Sequence, residues 1–292
     1  MDQNRNTVIE RASALIDALP EIAQFHARGS KIYGFSEACR TLVLSEMGLN
    51  DTLESAVTFG QFGLIKLPYH QMGAVTSIDL FGMDELILFS YYWINRKNYK
   101  NVSDLGANIG LHSIILSRCG FEVTAYEPDP VHFALLNRNL EINQCLGVKS
   151  INAAVSDVTG VANFVRVLGN TTSSHLEGSK DNAYGELENF EVKTIAVDQV
   201  FAGTDFIKMD VEGAEAKIIT ATGREHWSDV EMMLEVGNAK NAAIIYDHLQ
   251  RIGVNAFSQK TGWTHARDFE AFPMSYKEGS LFLTTRNEMS WG

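Results

Sequence analysis

Along the 292-residue chain, apolar positions change their spacing twice, and each change marks a different kind of structure. Val8, Ile9, Ala12, Leu15, Ile16 and Leu19 recur at helical spacing and predict a helix within residues 7–27. A second helix is expected over 37–47, stopping near Gly48. Between residues 57 and 80 the pattern breaks into short β-like pieces (AVTFGQFGLIKL, GAVTSIDLF) interrupted by glycine and Pro68, and residues 84–96 return to an aromatic-rich helix.

From Asn101 onward the order becomes regular. VSDL reads as a strand, 111–118 as a helix, EVTAYE as a strand, and 130–143 as a helix opened by Pro130, a residue well tolerated at a first helical position. VKSINAAV and GVANFVRVL read as further strands. Residues 169–190 are polar and rich in Gly, Ser and Asn, which predicts a loop of a length that is uncommon unless it has a function. Strands at 206–209, 231–236 and 280–285 and helices from Ala214 and over 242–251 complete the chain. Such alternation predicts an α/β fold, a mostly parallel sheet with helices on both faces.

Composition narrows this picture in three ways. An apolar fraction of 45% is enough for one large domain, or for a domain with an extension. A net charge of -12 argues against nucleic acid or an anionic membrane surface as a partner. Cys39, Cys119 and Cys145 have no metal-ligand spacing, which fits reduced thiols in a cytosolic protein. The N-terminal residues show neither a signal-peptide pattern nor a run approaching roughly 18 apolar residues, so a cytoplasmic protein without membrane contact is expected.

The richest stretch is NVSDLGANIGLHSIILSRCGFEVTAYEPD, residues 101–129. Gly106 and Gly110 lie where a strand turns into a helix and would let the backbone approach a ligand. A dinucleotide fingerprint laid on Gly106 needs glycines at positions 108 and 111, which are Asn108 and Leu111, so a pyrophosphate is disfavoured. Asp104 would repel a phosphate and suits a ligand with positive charge, such as an amino group beside a sulfonium. Glu127, ending the second strand, is placed to accept hydrogen bonds from ribose hydroxyls. Pro128, Asp129, Asn152 and Ala153 lie where a purine would reach. These features together point to S-adenosylmethionine (SAM).

The segment Asp104-Leu-Gly106-Ala107-Asn108-Ile109-Gly110 resembles the first SAM-binding motif of class I methyltransferases. Downstream, FIKMDVEGAE from Phe206 to Glu215 is similar to the K-x-D-V-E-G-A-E segment of the FkbM family, as INAAVSD is to its third-strand pattern and MLEV to its fifth strand. The resemblance covers roughly residues 80–286. It implies a Rossmann-like class I fold with a seven-stranded, mostly parallel sheet over residues 81–292, preceded by a helical and β-like extension over 1–80. It also implies methyl transfer from SAM to a hydroxyl oxygen of a saccharide or natural-product small molecule, with Ala107 and Ile109 part of the donor turn.

Catalytic candidates cluster at the second motif. Asp210 and Glu212, two apart at a strand end, are expected to point to one face, and Glu235 at the next strand end could join them. An acceptor hydroxyl has a high pKa, so a nearby carboxylate could take its proton, with Asp210 also bordering the donor. The same carboxylates could hold a divalent metal, but no further ligand presents itself and none is assigned. A structural alternative has Asp210 merely capping the helix from Ala214. His175, in the polar loop, is a candidate base if that loop folds over the acceptor; His112 is assigned to packing or to the border of the cofactor, His70 to solvent or packing, and the cluster Phe89, Tyr91, Tyr92 and Trp93 to the core. Neither N-P-P-Y nor D-P-P-Y occurs, which argues against nucleobase amines. The competing readings are N-methylation of an amide or amine, for example of a peptide, and a catalytically inactive SAM-binding partner. The extension is assigned to acceptor specificity or to homodimer contacts.

Overall fold

Pro20 has no backbone N–H to give, and the first helix, α1 (Asp2–Ala18), ends before it. A 3-10 segment over Pro20–Phe25 follows, so the helix expected over 7–27 is two pieces. The structure, a computed structural model, describes residues 2–47, 56–179 and 185–291, with side chains from Glu10 onward. The side chains of Val8 and Ile9 and the expected stop at Gly48 lie outside the described residues. α2 (Lys31–Met47) starts six residues earlier than expected. Two short antiparallel pairs come next, β1 (Ala56–Thr58) with β2 (Leu64–Lys66) and β3 (Gln71–Met72) with β4 (Val75–Thr76). In α3 (Met83–Ile94), Phe89, Tyr91 and Tyr92 are buried, as their aromatic density suggested.

The alternating part follows as β5 (Asn101–Leu105), α4 (Leu111–Arg118), β6 (Glu122–Tyr126), α5 (Pro130–Ile142) and β7 (Lys149–Ile151). β8 (Ala154–Ser156), β9 (Gly160–Val167), β10 (His175–Leu176), β11 (Leu187–Ala196) and the short α6 (Val197–Phe201) lead into β12 (Phe206–Met209) and α7 (Glu215–Thr220). β13 (Glu231–Glu235), α8 (Ala239–Ile252), β14 (Asn255–Ser258), β15 (Thr264–His265) and β16 (Ser280–Thr284) close the chain. The main sheet has the order β15-β14-β16-β13-β12-β5-β6-β7, eight strands where seven were expected, the extra one being the two-residue β15 at an edge. Pairs from β7 through β13 are parallel, and β16 runs antiparallel to both of its neighbours. Among the described residues no helix is long and apolar enough to cross a membrane.

The sheet explains where a ligand can sit. The chain leaves β5 toward β6 and β7 on one side and leaves β12 toward β13 on the other. Such a reversal of strand order opens a crevice beyond the carboxyl ends of β5 and β12. Side chains alternate between two cores: Val102, Phe206 and Met233 pack on one face under α3 and α4, and Leu105, Met209 and Leu234 pack on the other. The first of these cores also takes in Ile16 and Leu44 of the extension. Burial drives the pKa of His26 down to about 4, so the ring is neutral at neutral pH. It accepts the Trp263 indole N–H (2.9 Å) and lies 3.0 Å from the Leu19 carbonyl, which ties the extension to the C-terminal half.

Two strand expectations change. VKSINAAV is divided between β7 of the main sheet and β8, which starts a second sheet of order β10-β9-β11-β8. The polar segment 169–190 contains a 3-10 turn (Thr171–Ser173), β10 and the start of β11, residues 180–184 lying outside the described set. β11 pairs with β9 along eight residues, and its exposed positions include Glu188, Asn189, Glu191 and Lys193, which makes a half-exposed strand resemble a loop in sequence.

Candidate active site

The turn after β5 is shaped by its backbone. Gly106 and Ala107 both donate to the Tyr126 carbonyl at 3.0 Å, folding the chain back over the end of β6. Gly106 has φ +76°, and a Cβ there would fall on the carbonyl oxygen of Asp210. Only glycine lets the β5 and β12 turns lie this close. Asn108 also has positive φ (51°), and its N–H donates to Glu127 Oε2 at 2.8 Å. The other oxygen of Glu127 accepts the Asp129 N–H at 2.9 Å. Burial raises the Glu127 pKa to about 8, the two N–H donors offsetting part of that rise.

Asp129 caps α5, accepting from the N–H groups of Val131 (2.8 Å) and His132 (3.4 Å). The guanidinium of Arg166 on β9 grips the same carboxylate at 2.6 and 2.7 Å. Burial alone would raise its pKa; Arg166, His132 and the Val131 N–H outweigh that and bring it below the ordinary value. The Asn152 side chain donates to the carbonyls of Glu127 (2.8 Å) and Pro128 (3.0 Å), bracing this turn from outside.

These turns open onto a cavity of about 490 Å³. Gly106, Asn108, Glu127, Pro128, Asp129 and Ala153 line it, whereas Asp104, Ala107, Ile109, Gly110 and Asn152 do not. Asp104 is the clearest correction. It is fully buried on the face of β5 under α3 and α4, accepts the Ser113 hydroxyl at 2.6 Å, and faces Lys208 Nζ at 3.4 Å, so its charge is met by the protein. Strand periodicity puts it there, because Asp104 shares the face of Val102 while the ligand lies beyond the strand end.

At the second motif, β12 ends at Met209, and Asp210, Val211 and Glu212 all line the cavity from the following turn. Asp210 and Glu212 therefore reach the cavity through a turn in which Glu212 has φ 52°, and the expected strand alternation is not the cause. Glu215 closes that turn by accepting the Gly213 N–H at 2.7 Å, and Asn241 braces it from α8. Lys208 is buried in register with Asp104, its ammonium 3.3 Å from the Gly106 carbonyl. Glu235 ends β13 and is partly exposed to the cavity while deep in the protein. Its pKa lies well above the ordinary value because of burial first, then the charges of Asp210, Glu85 and Glu212, with Lys208 opposing. Among the described residues no group of three or more His, Cys, Asp or Glu is arranged to hold a metal ion.

His175 does not reach the cavity. It is 2% exposed on β10, with Nδ1 3.0 Å from the Ser173 carbonyl. The segment carrying it is held against β9 beside the donor side of the cavity, where Thr171 Oγ1 lies 2.9 Å from His132 Nε2, rather than folding over the far end. His112 is engaged with Glu85 (2.7 Å) and Tyr92 (3.1 Å), which agrees with a packing role. The far end of the cavity is supplied by residues that sequence reasoning did not single out: Arg28, Tyr33 and Glu37 from the extension, and Asp84 and Glu85 from the first turn of α3. Only the adjacent acids at positions 84 and 85 were visible as a signal, and they resemble any helix start.

The FkbM methyltransferase domain matches residues 104–270, more than half of the chain. The chain belongs to the FkbM methyltransferase family. A relative, methyltransferase sdnD of Sordaria araneosa, is 30% identical over 159 residues, 43% of this chain and 61% of that protein. The matching region thus spans less than two thirds of that relative. Among solved structures, a SAM-dependent methyltransferase from Agrobacterium tumefaciens aligns with 82% of this chain and 72% of its own at 10% identity and a TM-score of 0.42. A precorrin-6y C5,15-methyltransferase from Geobacter metallireducens aligns with 69% and 85% at 14% identity and a TM-score of 0.36. The chain has an α/β fold, and its FkbM segment contains both turns that meet at the cavity.

Proposed function

We propose that this FkbM methyltransferase uses SAM as donor and methylates a hydroxyl oxygen of a saccharide or natural-product small molecule. The observation that carries the reading is the close meeting of the Gly106 and Asp210 turns, with the Glu127 carboxylate on the donor side and Glu235 across the same cavity. The donor fits the residues present. Gly106 leaves space that a Cβ would fill, each oxygen of Glu127 keeps a lone pair for a ribose hydroxyl, and Asn108 Oδ1 is buried with no hydrogen-bond partner among the described residues, ready for a ligand donor. Bound there, SAM supplies an electrophilic methyl group on a sulfonium.

The chain's own task is to orient the acceptor oxygen and accept its proton. Glu235 suits the second role, since a carboxylate with raised pKa holds a proton more tightly than an ordinary one. Asp210 and Glu212 sustain that elevation by their charge and border the same space. Residues 1–80 serve as a cap that supplies acceptor specificity, a role supported by the presence of Arg28, Tyr33 and Glu37 in the cavity wall.

Product analysis tests the assignment. After incubation with SAM and a panel of glycosides, polyols and peptides, mass spectrometry with acid hydrolysis should locate the new methyl on oxygen. A hydrolysis-stable N-methyl product would replace this reading with the amide or amine one.

A further inference from the structure

Resting on the donor reading above, we propose that the extension also closes the donor seat: the tip of the β3–β4 hairpin is clasped to the turn after β9, and this strap opens for SAM to enter and for S-adenosylhomocysteine to leave. Gly73 and Ala74 form the two-residue tip of that hairpin, beyond the pairs Gln71 with Thr76 and Met72 with Val75. The Ala74 N–H donates to the Gly169 carbonyl at 3.0 Å, and Gly73 lies opposite Asn170 in an isolated antiparallel bridge. The contact is backbone against backbone. Gly73 has φ +80°, and a Cβ there would fall on the Gly169 carbonyl.

The clasp joins two parts of the cavity wall that are rooted in different cores. On one side Met72 is buried in the core shared with α3 and α4, and Val75 packs against that core while lining the cavity. On the other side Phe164 and Leu176 belong to the second core, and Thr171 and Thr172 line the cavity directly after Asn170. Thr171 Oγ1 lies 2.9 Å from Nε2 of His132, itself in the wall three residues after Asp129, so this side stands at the donor seat. The hairpin is stiffened across its base: the His70 N–H donates to the Ser77 hydroxyl at 2.6 Å, and the Ser77 N–H to the His70 carbonyl at 3.0 Å. Apolar burial holds the base, whereas the tip rests on backbone hydrogen bonding, whose net contribution is small because water competes for the same groups. The tip therefore yields first. Its release parts Val75 from Thr171 and uncovers the Asp129 side of the cavity without disturbing Gly106 or Glu127.

Release rates and amide hydrogen exchange on the full chain test this, with S-adenosylhomocysteine as the probe. Gly73→Ala, which forces the clasp apart, should release it roughly threefold to tenfold faster in surface plasmon resonance, as expected for the loss of one backbone hydrogen bond. Gly169→Ala should keep the wild-type rate, since a Cβ there meets nothing within 4 Å among the described residues. In the wild type, saturating S-adenosylhomocysteine should slow amide exchange at residues 71–76, because a bound molecule holds the strap shut. An unchanged release rate in folded Gly73→Ala overturns the proposal: a merely structural glycine would lower the melting temperature and leave the rate alone. Should that variant misfold, exchange at residues 71–76 that is indifferent to S-adenosylhomocysteine overturns it instead. Failure of the wild type to bind S-adenosylhomocysteine would remove the donor reading as well, whereas binding with neither effect removes only this inference.

Discussion

The turns after β5 and β12 lie side by side, yet they are built in opposite ways. On the β5 side the polar groups are largely paired within the protein: the Gly106 and Ala107 N–H groups on Tyr126, both Glu127 oxygens on backbone donors, Asp129 on Arg166 and α5. On the other side Asp210, Glu212 and Glu235 border one cavity, and burial with the charges of Asp210, Glu85 and Glu212 raises the pKa of Glu235. The first arrangement gives a preformed seat whose geometry does not wait for a ligand. The second is a group of neighbouring carboxylates whose mutual repulsion favours the protonated form of Glu235. A donor common to a family and an acceptor particular to one enzyme would call for this division.

The largest effect should come from Gly106→Ala, where the new Cβ meets the Asp210 carbonyl and the backbone is in the left-handed region. Positive φ alone costs roughly 1–3 kcal/mol for a residue with a side chain, and the clash adds to it. We expect a lowered melting temperature and no calorimetric signal with S-adenosylhomocysteine. Undisturbed binding would show that the two turns need not be this close.

Next in size is Glu235→Gln, with turnover reduced by about 10²–10⁴-fold, the usual contribution of a positioned acid or base, and donor affinity retained. The sign of the pH dependence follows from the raised pKa. Protonated Glu235 cannot act as a base, so kcat/KM should climb with pH through that value and level off above it. Glu212→Gln, by removing one of the charges that raise it, should move the climb to lower pH. A flat wild-type profile across that climb would detach Glu235 from proton transfer.

The smallest effect is expected from Glu127→Gln. Replacing a carboxyl oxygen by an amide NH2 removes one acceptor from the donor seat and should weaken S-adenosylhomocysteine binding by up to roughly tenfold. Because the folded state raises this group from 4.5 to about 8, it binds the proton more tightly than the unfolded chain does. Its contribution to stability is therefore full below the unfolded pKa and declines as pH rises toward 8. Denaturant titrations across that range should show the decline in wild type and a flatter course in the variant.

Much of the β5 side could be anticipated, since its glycines, Glu127 and Pro130 carry local conformational meaning within thirty residues of chain. The side chain of Asp104 was misplaced because a motif names a residue without saying which face of the strand it takes. His175 was placed in a loop because the two-residue β10 that carries it, paired with β9, is too short to leave a periodic signal in a polar segment. Arg28, Tyr33 and Glu37 gave no signal at all, as nothing near them in sequence marks a binding residue.

By itself, then, the sequence determined the alternation of strands and helices, the sharp turn at Gly106, the acid ending β6 and the turn from Asp210 to Glu215. These depend on side-chain periodicity and on which φ angles each residue tolerates, both properties of neighbouring residues. Tertiary structure decided that Asp104 is neutralised by Lys208, that Arg166 holds Asp129, that the extension forms one wall of the cavity, and that Glu235 lies among the charges of Asp210, Glu85 and Glu212. Burial and charge pairing arise only when distant segments meet, and no local pattern encodes which segments those are.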